Sequence, residues 1–378
     1  MRISFVCQDL FGCGVQYVTA SLIREFVNKG YEVDLIVSKV HCDLLVEGKE
    51  KPFEVPESVR WIYLPSRRAR WNIAALHRYC RQTDAVAVVV MSSNYHSAIA
   101  AARIGSHSQA RFYYVEHNGA IGIGWDGRSL QKTPRKYSFR WLENWFWTSH
   151  FDGLLTVGSG IADAMARMLD YPRNRIFVVF NPVVDDAFRE KSKKSSSHEW
   201  LEHKIHPTFI VAGAHTGCKN HLMLFDAIYE VNKIRPVRLI LFGCGDLTAE
   251  YEKYIHHHKL EDRIALGGYC NNLPAELKQA DGFICSSDVE SFSIVLVEAL
   301  ACGIQVISTN CPYGPPEILE GGRYGKLVPI GDSKAMAAAI LEVVEASKQT
   351  IVPPEAWNRF TIEETVKRYE SALGLSHE

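Results

Sequence analysis

Two glutamates in the second half of the chain are the residues best placed to do chemistry. They lie in DVESFSIVLVEALACG, where Ser293 can cap a helix that runs to about Cys302 and stops at Gly303. Apart from Glu298 this helix is apolar, so it is predicted to be buried, and a buried carboxylate is costly unless it is paired or hydrogen-bonded. Glu298 therefore needs a partner, which is either a basic side chain or the hydroxyl groups of a ligand. Glu290 lies before the helix, in a loop.

Glu290 follows GFICS, a predicted strand, and open α/β sheets bind ligands at the carboxyl ends of their strands. The loop amides after it face any anion held at the N-terminus of the next helix. Lys219 stands at another helix start, where a cation opposes the helix dipole unless an anion is nearby. Its alternative interpretation is a solvated lysine. His117 ends the apolar run RFYYVEH, and it is either a ligand contact or a structural, hydrogen-bonded histidine.

A glycine loop opens the chain. FGCGVQYV places Gly12 and Gly14 in G-x-G spacing after a strand, with Asp34 where a ribose-binding acid of a dinucleotide site would lie. The third glycine of that fingerprint is replaced by Tyr17, which would obstruct close packing of the helix on the strand. This disfavours dinucleotide binding. The remaining interpretations are a turn whose amides, at the start of a helix over 15–29, approach an anionic or hydroxyl-rich ligand, and a turn without a ligand.

The elements that must position these residues alternate regularly between short β-branched runs and helix-period segments. This alternation predicts α/β folding with parallel sheets wrapped by helices. The first half contains RISFVCQ, VDLIV, AVAVVVM, RFYYVEH, GLLTV and IFVVF, and the second half TFIVAGA, VRLILFG, IALGG, GFICS and QVIST. Two doubly wound, Rossmann-like domains are predicted.

Domain boundaries follow from composition. REKSKKSSSHEW is polar and serine-rich, which is typical of an exposed connection, so 189–206 is predicted to link a first domain, 1–188, to a second, 207–359. The tail FTIEETVKRYESAL is amphipathic, with apolar side chains on one side. This tail, 360–378, is expected to form a helix that packs back on the first domain.

Composition limits the classes of partner. The 378 residues include 42 Lys and Arg against 43 Asp and Glu, and the net charge of −1 gives no basic field for nucleic acid. Ten cysteines without a Cys-x-x-Cys pair favour a reducing, cytoplasmic setting. The longest plain apolar run, AVAVVVM, is too short to span a bilayer, so membrane contact is expected to be peripheral at most.

The two glutamates, in E-S-F-S-I-V-L-V-E-A-L-A-C-G, resemble the Glu-x7-Glu signature of the retaining glycosyltransferases of family 4, which have the two-domain GT-B fold. The resemblance extends over nearly the whole chain. GCGVQYVTASLIREFVNKGYEVDLIV is similar to the family's first strand-loop-helix-strand unit, and KNHLMLFDAI to its phosphate-side helix. NPV is similar to its interdomain approach, and STNCPYGPPEIL to a loop of many polysaccharide-building members.

The resemblance implies roles for these residues. Glu298 would bind the ribose hydroxyls of a nucleotide sugar, Glu290 would lie beside the transferred sugar, and Lys219 would meet the diphosphate. His117 would touch the donor sugar, and Gly12 and Gly14 would form the loop for the acceptor or a phosphate. The other donor-binding positions that the resemblance implies are Gly213, His215, Tyr269, Phe292, Ser293 and Ile294.

The chain departs from the family pattern in three places. Ala214 stands where an arginine is usual, so phosphate binding is either weaker or supported by His215 or another basic group. Cys13 and Gln16 stand where a glycine and often a glutamate are usual. Ser291 and Ser293 replace common glycines, and together these changes bear on catalytic competence.

The predicted function is transfer of a hexose or N-acetylhexosamine, with retention of configuration, from a nucleotide-diphosphate sugar to a glycan or lipid-linked acceptor. UDP is the nucleotide that the resemblance favours, and the donor is expected to bind the second domain. No metal or other cofactor is expected, because Lys219 and helix dipoles can carry the phosphate charge. Alternatives are a nucleotide-sugar epimerase with the same fold and a non-catalytic protein that binds a nucleotide sugar or a partner transferase.

Three further segments are rich in basic residues or histidine. SRRARWNIAALHRYCR (66–81) and PRKYSFRWLENWFW (134–147) mix basic and aromatic residues, so either could touch an anionic membrane or form an ordinary helix. HHHK (256–259) resembles a metal-binding cluster, but a solvated helix face is the favoured interpretation over a metal site, because successive histidines on a helix point in different directions.

Overall fold

The computed structural model describes residues 1–12, 14–39, 53–117, 149–346 and 352–375. These residues form two compact units. The first contains the residues up to Pro182 together with those from Ile362 onward, and the second is Val183–Thr361.

The first unit contains a seven-stranded parallel sheet in the order β3-β2-β1-β4-β5-β6-β7. The strands are β1 (Arg2–Val6), β2 (Glu32–Ser38), β3 (Arg60–Leu64), β4 (Ala87–Val90), β5 (Arg111–Glu116), β6 (Gly153–Thr156) and β7 (Ile176–Val178). The chain winds outward from β1 in one direction and then returns to β4 and winds in the other. The carboxyl ends of β1 and β4 therefore form the topological switch point, where sheets of this type bind ligands.

In the described part of the first unit, five helices accompany this sheet: α1 (Gly14–Asn28), α2 (Ile73–Gln82), α3 (His96–Arg103), α4 (Ser159–Leu169) and α13 (Ile362–Leu373). As predicted, α13 packs back on the first unit, against α1. The rings of Phe26 and Tyr369 lie 6.5 Å apart. Glu370 accepts hydrogen bonds from Lys29 (2.6 Å) and Tyr31 (3.0 Å).

The second unit contains a six-stranded parallel sheet in the order β10-β9-β8-β11-β12-β13. Its strands are β8 (Thr208–Ala212), β9 (Arg238–Phe242), β10 (Ile264–Gly268), β11 (Gly282–Cys285), β12 (Gln305–Thr309) and β13 (Lys326–Val328). Its helices are α5 (Asp186–Lys191), α6 (Glu199–Glu202), α7 (His221–Asn232), α8 (Thr248–His258), α9 (Leu273–Gln279), α10 (Ile294–Ala301), α11 (Gly314–Ile318) and α12 (Ser333–Ala346). The switch point lies between β8 and β11.

The predicted α/β class and the eleven predicted strands are confirmed. Two strands are missing from the sequence-based prediction, β3 and β13, and both are edge strands. The residues of β3 are mostly exposed or half-buried, so this strand lacks the continuous apolar run of the central strands.

The serine-rich segment 189–206 is mostly exposed, as predicted, but it belongs to the second unit and does not connect the two units, which corrects the prediction. It contains the end of α5 and all of α6, and the side chain of Trp200 is buried. Glu276, itself buried, accepts hydrogen bonds from Ser196 and from the backbone and side chain of Ser197. The serines are thus hydrogen-bond donors to a buried carboxylate, and the unit boundary lies earlier, at Val183.

Asp34 does not bind a ribose. It is fully buried in the interior of β2, where its carboxylate accepts hydrogen bonds from Arg60 (2.8 and 2.6 Å) and from the Tyr79 hydroxyl (2.6 Å). Burial and this hydrogen bond raise the pKa of Tyr79. Asp34 is therefore bound by structural partners. This agrees with the sequence analysis, which disfavoured a dinucleotide site.

Within the described ranges, no helix combines the length and the apolar character needed to cross a membrane. The segment 134–147 lies outside the described residues, whereas 66–81 forms a short 3₁₀ turn followed by α2. The HHHK motif ends α8, and His256 pairs there with Glu261 on the surface.

Candidate active site at the switch point of the second sheet

Two loops meet at the carboxyl edge of the second sheet, one after β8 and one after β11. Ser286 donates a hydrogen bond to the carbonyl of Lys219 (2.7 Å), and the amide of Asp288 donates to the carbonyl of Cys218 (2.8 Å). The side chain of Asn220 donates to Asp288 (2.8 Å). These bonds fix the two loops against each other at the position where the fold type binds ligands.

Lys219 and Glu290 form an ion pair between these loops. The Lys219 Nζ and Glu290 Oε1 atoms are 2.5 Å apart, and the two side chains are only 25% and 13% exposed. Burial acts to lower the pKa of Lys219, but the charge and hydrogen bond of Glu290 outweigh it, so the pKa is raised and the ammonium stays charged. Ser287 donates to the same oxygen, Oε1 (2.8 Å). Among the described residues none donates to Oε2, which leaves that oxygen for a ligand hydroxyl.

The loop that carries Glu290 is seated on the loop 310–314, part of the STNCPYGPPEIL motif. Glu290 and Tyr313 form a parallel bridge, and the amide of Gly314 donates to the Glu290 carbonyl (3.1 Å). A Cβ atom on Gly314 would lie 2.7 Å from the backbone of Phe292. Only glycine permits this approach, so the motif positions the catalytic candidate through its backbone.

Phe292 and Ser293 reach the site only in part. The Phe292 ring is buried and packs on Phe360 with centroids 5.5 Å apart. Only the backbone of Phe292 is therefore left to contact a nucleotide-sugar donor. Ser293 precedes α10, but its side chain makes no capping hydrogen bond, contrary to the prediction, because its backbone is left-handed (φ 63°). Ile294 is the first residue of α10, and the helix ends as predicted before Gly303.

Replacing Ser293 by glycine is expected to stabilise the protein by about 1 kcal/mol, because a left-handed residue with a Cβ atom is strained and glycine is not. Ser291 lies two residues away and has no positive φ, so Ser291→Gly is the matched control and should destabilise slightly. Urea unfolding of both variants measures the difference. An equal loss of stability in the two would contradict the strain at Ser293.

Glu298 projects from α10 and is partly buried. Burial is the main cause that raises its pKa from 4.5 to about 7, with Asp185 raising it and Lys191 lowering it to smaller extents. No side chain within the described ranges donates a hydrogen bond to its carboxylate. The sequence analysis allowed two partners for Glu298, a basic side chain or the hydroxyl groups of a ligand. The basic side chain, Lys191, acts only as a charge without a hydrogen bond, so the ligand hydroxyls remain the candidate partner.

The turn after β8 is closed by glycine backbone packing. A Cβ atom on Gly243, where φ is +128°, would lie 2.0 Å from the Gly213 carbonyl oxygen. A Cβ atom on Gly213 would in turn lie 3.5 Å from Cε of Lys219. The path of this loop is therefore set by main-chain contacts, and the lysine stem lies along it.

His215 does not supply the positive charge that Ala214 lacks. Its side chain is buried, its Nδ1 lies 2.7 Å from the Thr248 hydroxyl, and its ring packs on Tyr251. Burial lowers its pKa, so the imidazole is neutral. Lys219 thus remains the cation that the described part of the chain directs toward this site.

Tyr269 is the most exposed aromatic side chain near the edge, 79% exposed, directly after β10. The preceding Gly268 has φ +62° and accepts a hydrogen bond from the Gly243 amide (2.7 Å). The ring is therefore anchored beside the β8–β9 turns and free to stack on a planar ligand.

His117 belongs to the first unit and follows β5. It hydrogen-bonds the side chain of Asn181, while its Nε2 is buried and has no partner among the described residues. Burial lowers its pKa to about 4, so the ring is neutral at physiological pH and can donate or accept a hydrogen bond but carries no charge. Gly12 has φ +90°, and Gly14 is the first residue of α1. Cys13 between them lies outside the described residues.

Comparison with known proteins identifies the family. Residues 12–187 match the family model described as Glycosyltransferase Family 4, and residues 206–346 match the model described as Glycosyl transferases group 1. The chain belongs to glycosyltransferase family 4. The crystal structure of Anabaena HepE in complex with UDP matches this family-4 protein over 100% of both chains, with a TM-score of 0.75 and 16% identity. This likeness confirms the predicted GT-B fold.

Curated relatives align with one part of the chain. The family-4 protein is 29% identical over 130 residues to N-acetylgalactosamine-N,N'-diacetylbacillosaminyl-diphospho-undecaprenol 4-alpha-N-acetylgalactosaminyltransferase of Campylobacter jejuni, covering 34% of this chain and 35% of the relative. It is 34% identical over 122 residues to the putative colanic acid biosynthesis glycosyltransferase WcaL of Salmonella typhimurium, covering 30% of each chain. The chain thus spans about a third of the length of these relatives.

Sequence reasoning missed the side chains that hold the two loops together. They are Asn220, Ser286 and Asp288. A signal was present, since three consecutive polar residues directly follow the apolar strand GFIC, where the carboxyl edge of the sheet lies. Their partners lie about seventy residues away, so only the fold shows what they bind.

Proposed function

We propose that this protein is a retaining glycosyltransferase that moves a hexose or N-acetylhexosamine from a UDP-sugar to a glycan or lipid-linked acceptor. The observation that carries the proposal is the Lys219–Glu290 ion pair at the switch point of the second sheet. A partly buried cation held next to a carboxylate suits a substrate that joins a diphosphate to a sugar, since the diphosphate needs positive charge and the sugar needs hydrogen-bond acceptors.

In the proposed ground state the second unit holds the donor. Glu298 accepts hydrogen bonds from both ribose hydroxyls, and Tyr269 stacks on the base. Lys219 pairs with the diphosphate, together with the backbone amides at the N-termini of α7 and α10. Glu290 accepts a hydrogen bond from a hydroxyl of the transferred sugar through Oε2. We propose no metal, because these groups supply the positive charge that the diphosphate requires.

In the proposed reaction the bond between the anomeric carbon and the β-phosphate oxygen breaks, and the acceptor oxygen bonds to the same face of the sugar. The acceptor proton passes to the β-phosphate oxygen that leaves. Lys219 stabilises the negative charge that develops on this oxygen, and Glu290 offsets the positive charge at the anomeric carbon. His117, being neutral, orients a sugar hydroxyl rather than stabilising charge.

The choice of UDP and of the acceptor class rests on likeness. The crystal structure of HepE contains bound UDP. The name of the Campylobacter relative states an N-acetylgalactosaminyl transfer to a diphospho-undecaprenol-linked sugar. These are properties of those proteins. For this chain they support a UDP-sugar and a lipid-linked or polysaccharide acceptor as the first substrates to test.

The experiment is thermal unfolding with UDP, GDP, ADP and dTDP, using Glu298→Ala and the exposed-surface control Glu345→Ala. A ligand that binds only the folded state raises the melting temperature. We expect UDP to act selectively on the parent and on the control but not on Glu298→Ala. Stabilisation by another nucleotide, or by none, would refute the UDP assignment.

Product analysis then tests the reaction. UDP-N-acetylglucosamine and UDP-galactose are incubated with the protein, without acceptor, and followed by NMR of the anomeric proton. A transferase gives slow release of UDP and free sugar, since water replaces the acceptor. Accumulation of a nucleotide sugar with an inverted centre would instead identify an epimerase.

A further inference from the structure

The last stretch of the second unit, 353–361, contacts the loop that carries Glu290. It contains two short 3₁₀ turns, of which the first, Pro354–Ala356, packs on α10. The ring of Phe360 is fully buried and packs on Phe292, two residues after Glu290. Residues that end the unit therefore support a loop that lies about seventy residues earlier in the sequence.

Phe292 is the link between this stretch and Glu290. Its ring meets the ring of Phe360 edge-on, with centroids 5.5 Å apart and an angle of 79° between the planes. Gly314 approaches the Phe292 backbone so closely that a Cβ atom on that glycine would lie 2.7 Å away. The Gly314 amide in turn donates a hydrogen bond to the Glu290 carbonyl (3.1 Å). The position of the main chain at Glu290 therefore depends on where Phe292 and Gly314 lie.

Arg359 fixes the helix that Gly314 begins, α11. Its Nη2 donates to the carbonyls of Glu317 (2.7 Å) and Ile318 (3.0 Å), and its Nη1 lies 3.1 Å from a carboxylate oxygen of Glu320. Carbonyls at the end of a helix have no intrahelical partner, and a guanidinium group offers several fixed donors to them. The Arg359 side chain is only 23% exposed, which strengthens these bonds relative to those of a fully solvated arginine. Arg359 therefore holds α11, and with it Gly314, in place.

The backbone of Phe360 is itself anchored at the start of the unit. The amides of Val183 and Val184 both donate to the Phe360 carbonyl (2.9 and 3.2 Å), and Val184 forms a parallel bridge with Thr361. Val183 begins and Thr361 ends the long segment of the second unit. The two ends of this segment are thus joined at Phe360, which gives its ring a defined position against Phe292.

We propose that Phe360 and Arg359 are positioning residues for Glu290. Lys219 and Ser287 hold the Oε1 atom of this glutamate, so the direction of Oε2 toward the transferred sugar depends on the main chain. The contacts described above place that main chain. A displacement of about 1 Å in a group that acts on the reacting atoms lowers the rate by up to about 10²-fold. The inference rests on the proposed function, because Glu290 is the group that is positioned.

The first test measures hydrogen exchange of the Gly314 amide by mass spectrometry, which needs no substrate. Phe360→Leu is compared with Phe209→Leu, because both rings are fully buried in the same unit and Phe209 lies at the amino end of β8, away from the two loops. Both substitutions remove the same atoms and should lower the urea midpoint similarly. Only Phe360→Leu should speed exchange of the Gly314 amide, by about tenfold, because only this ring supports the loop.

Arg359→Gln is tested in the same way, with Arg323→Gln as its control. Arg323 pairs with the same carboxylate, Glu320, at 3.1 Å, but within the described ranges it donates no hydrogen bond to α11. The two variants therefore change the net charge equally and each removes an ion pair to one acceptor. We expect exchange of the Gly314 amide to be about fivefold faster in Arg359→Gln and unchanged in Arg323→Gln.

The second test measures turnover as UDP release from UDP-N-acetylglucosamine and UDP-galactose. Phe360→Leu and Arg359→Gln should each lower kcat about tenfold, while the affinity for UDP falls less than about threefold, because the ribose and diphosphate contacts remain. Phe209→Leu and Arg323→Gln should keep kcat within about twofold of the parent value. In combination with Glu290→Gln, Phe360→Leu should cause little further loss, because the group that Phe360 positions is already removed.

Equal exchange rates in each variant and its control, or a kcat loss that is the same with and without Glu290→Gln, would overturn the proposal. Failure of the proposed function gives a different result, in which the parent releases UDP from neither sugar nucleotide. Exchange of the Gly314 amide then still decides whether the two side chains hold the loop, because it does not depend on turnover.

Discussion

Replacing Glu298 by glutamine is expected to stabilise the folded protein at pH 8 and to weaken UDP binding in the same variant. Burial raises the pKa of this carboxyl from 4.5 to about 7. A carboxyl whose pKa is higher in the folded than in the unfolded chain opposes folding once the pH exceeds the unfolded value. Glutamine cannot ionise, so it removes this cost.

The stabilisation has a defined pH window. It should be absent near pH 4.5, grow as the pH rises toward 7 and be complete above that. The full shift corresponds to about 3 kcal/mol, and partial exposure of the side chain reduces the expected gain to about 1–3 kcal/mol at pH 8. Urea unfolding at pH 4.5, 6 and 8 measures it, with Glu345→Gln as a control that should show no such window.

UDP binding should depend on pH in the opposite sense. Only the ionised carboxylate accepts hydrogen bonds from both ribose hydroxyls, so the parent should bind UDP about tenfold more weakly at pH 6 than at pH 8. The phosphate of UDP also titrates, but equally for the parent and Glu298→Gln, so the ratio of their affinities isolates Glu298. A ratio that does not change with pH would exclude its role at the ribose.

Sugar transfer should fall by about 10²–10⁴-fold in kcat when either member of the Lys219–Glu290 pair is made neutral, because both act on charge that develops in the transition state. Lys219→Gln and Glu290→Gln each leave the other charge buried without its partner. Since the two side chains are 25% and 13% exposed, each variant should therefore also lose about 1–3 kcal/mol of stability.

The double variant separates catalysis from stability. With both groups neutral no buried charge is left alone, so the stability lost in each single variant should largely return. Transfer should stay as low as in the single variants, because neither charge is restored. Recovery of activity together with stability would show that the pair is structural, and the proposed mechanism would fail.

The sequence predicted what depends on neighbours along the chain. The central strands are short apolar runs, and the helix carrying Glu298 is a continuous apolar segment, so the strands of both sheets and the loop of Glu290 could be predicted from the sequence, whereas the strand order and the switch points could not. The amphipathic pattern of 360–373 likewise predicted a helix with a buried face.

What the sequence did not predict depends on distant partners or on backbone angles. Ser196 and Ser197 resembled a linker because their acceptor, Glu276, lies about eighty residues away. Serine is a residue type typical of helix caps, so the sequence predicted a cap at Ser293, but this residue has a left-handed backbone and its side chain makes no capping hydrogen bond. The sequence suggested that His215 could supply the positive charge missing at Ala214. The burial of the His215 ring, which keeps it neutral, depends on its packing partners and could not be predicted from the residue type.

The packing of α13 on α1 constrains the order in which the protein can fold during translation. The ribosome synthesises the whole of the second unit before it reaches Ile362. The face of α1 that contains Phe26 therefore stays uncovered until Tyr369 has been synthesised and α13 can pack on it. An apolar face left open for that time is a binding surface for chaperones and a point of misassembly. The first unit begins synthesis before the second, but it is the second that can finish folding first.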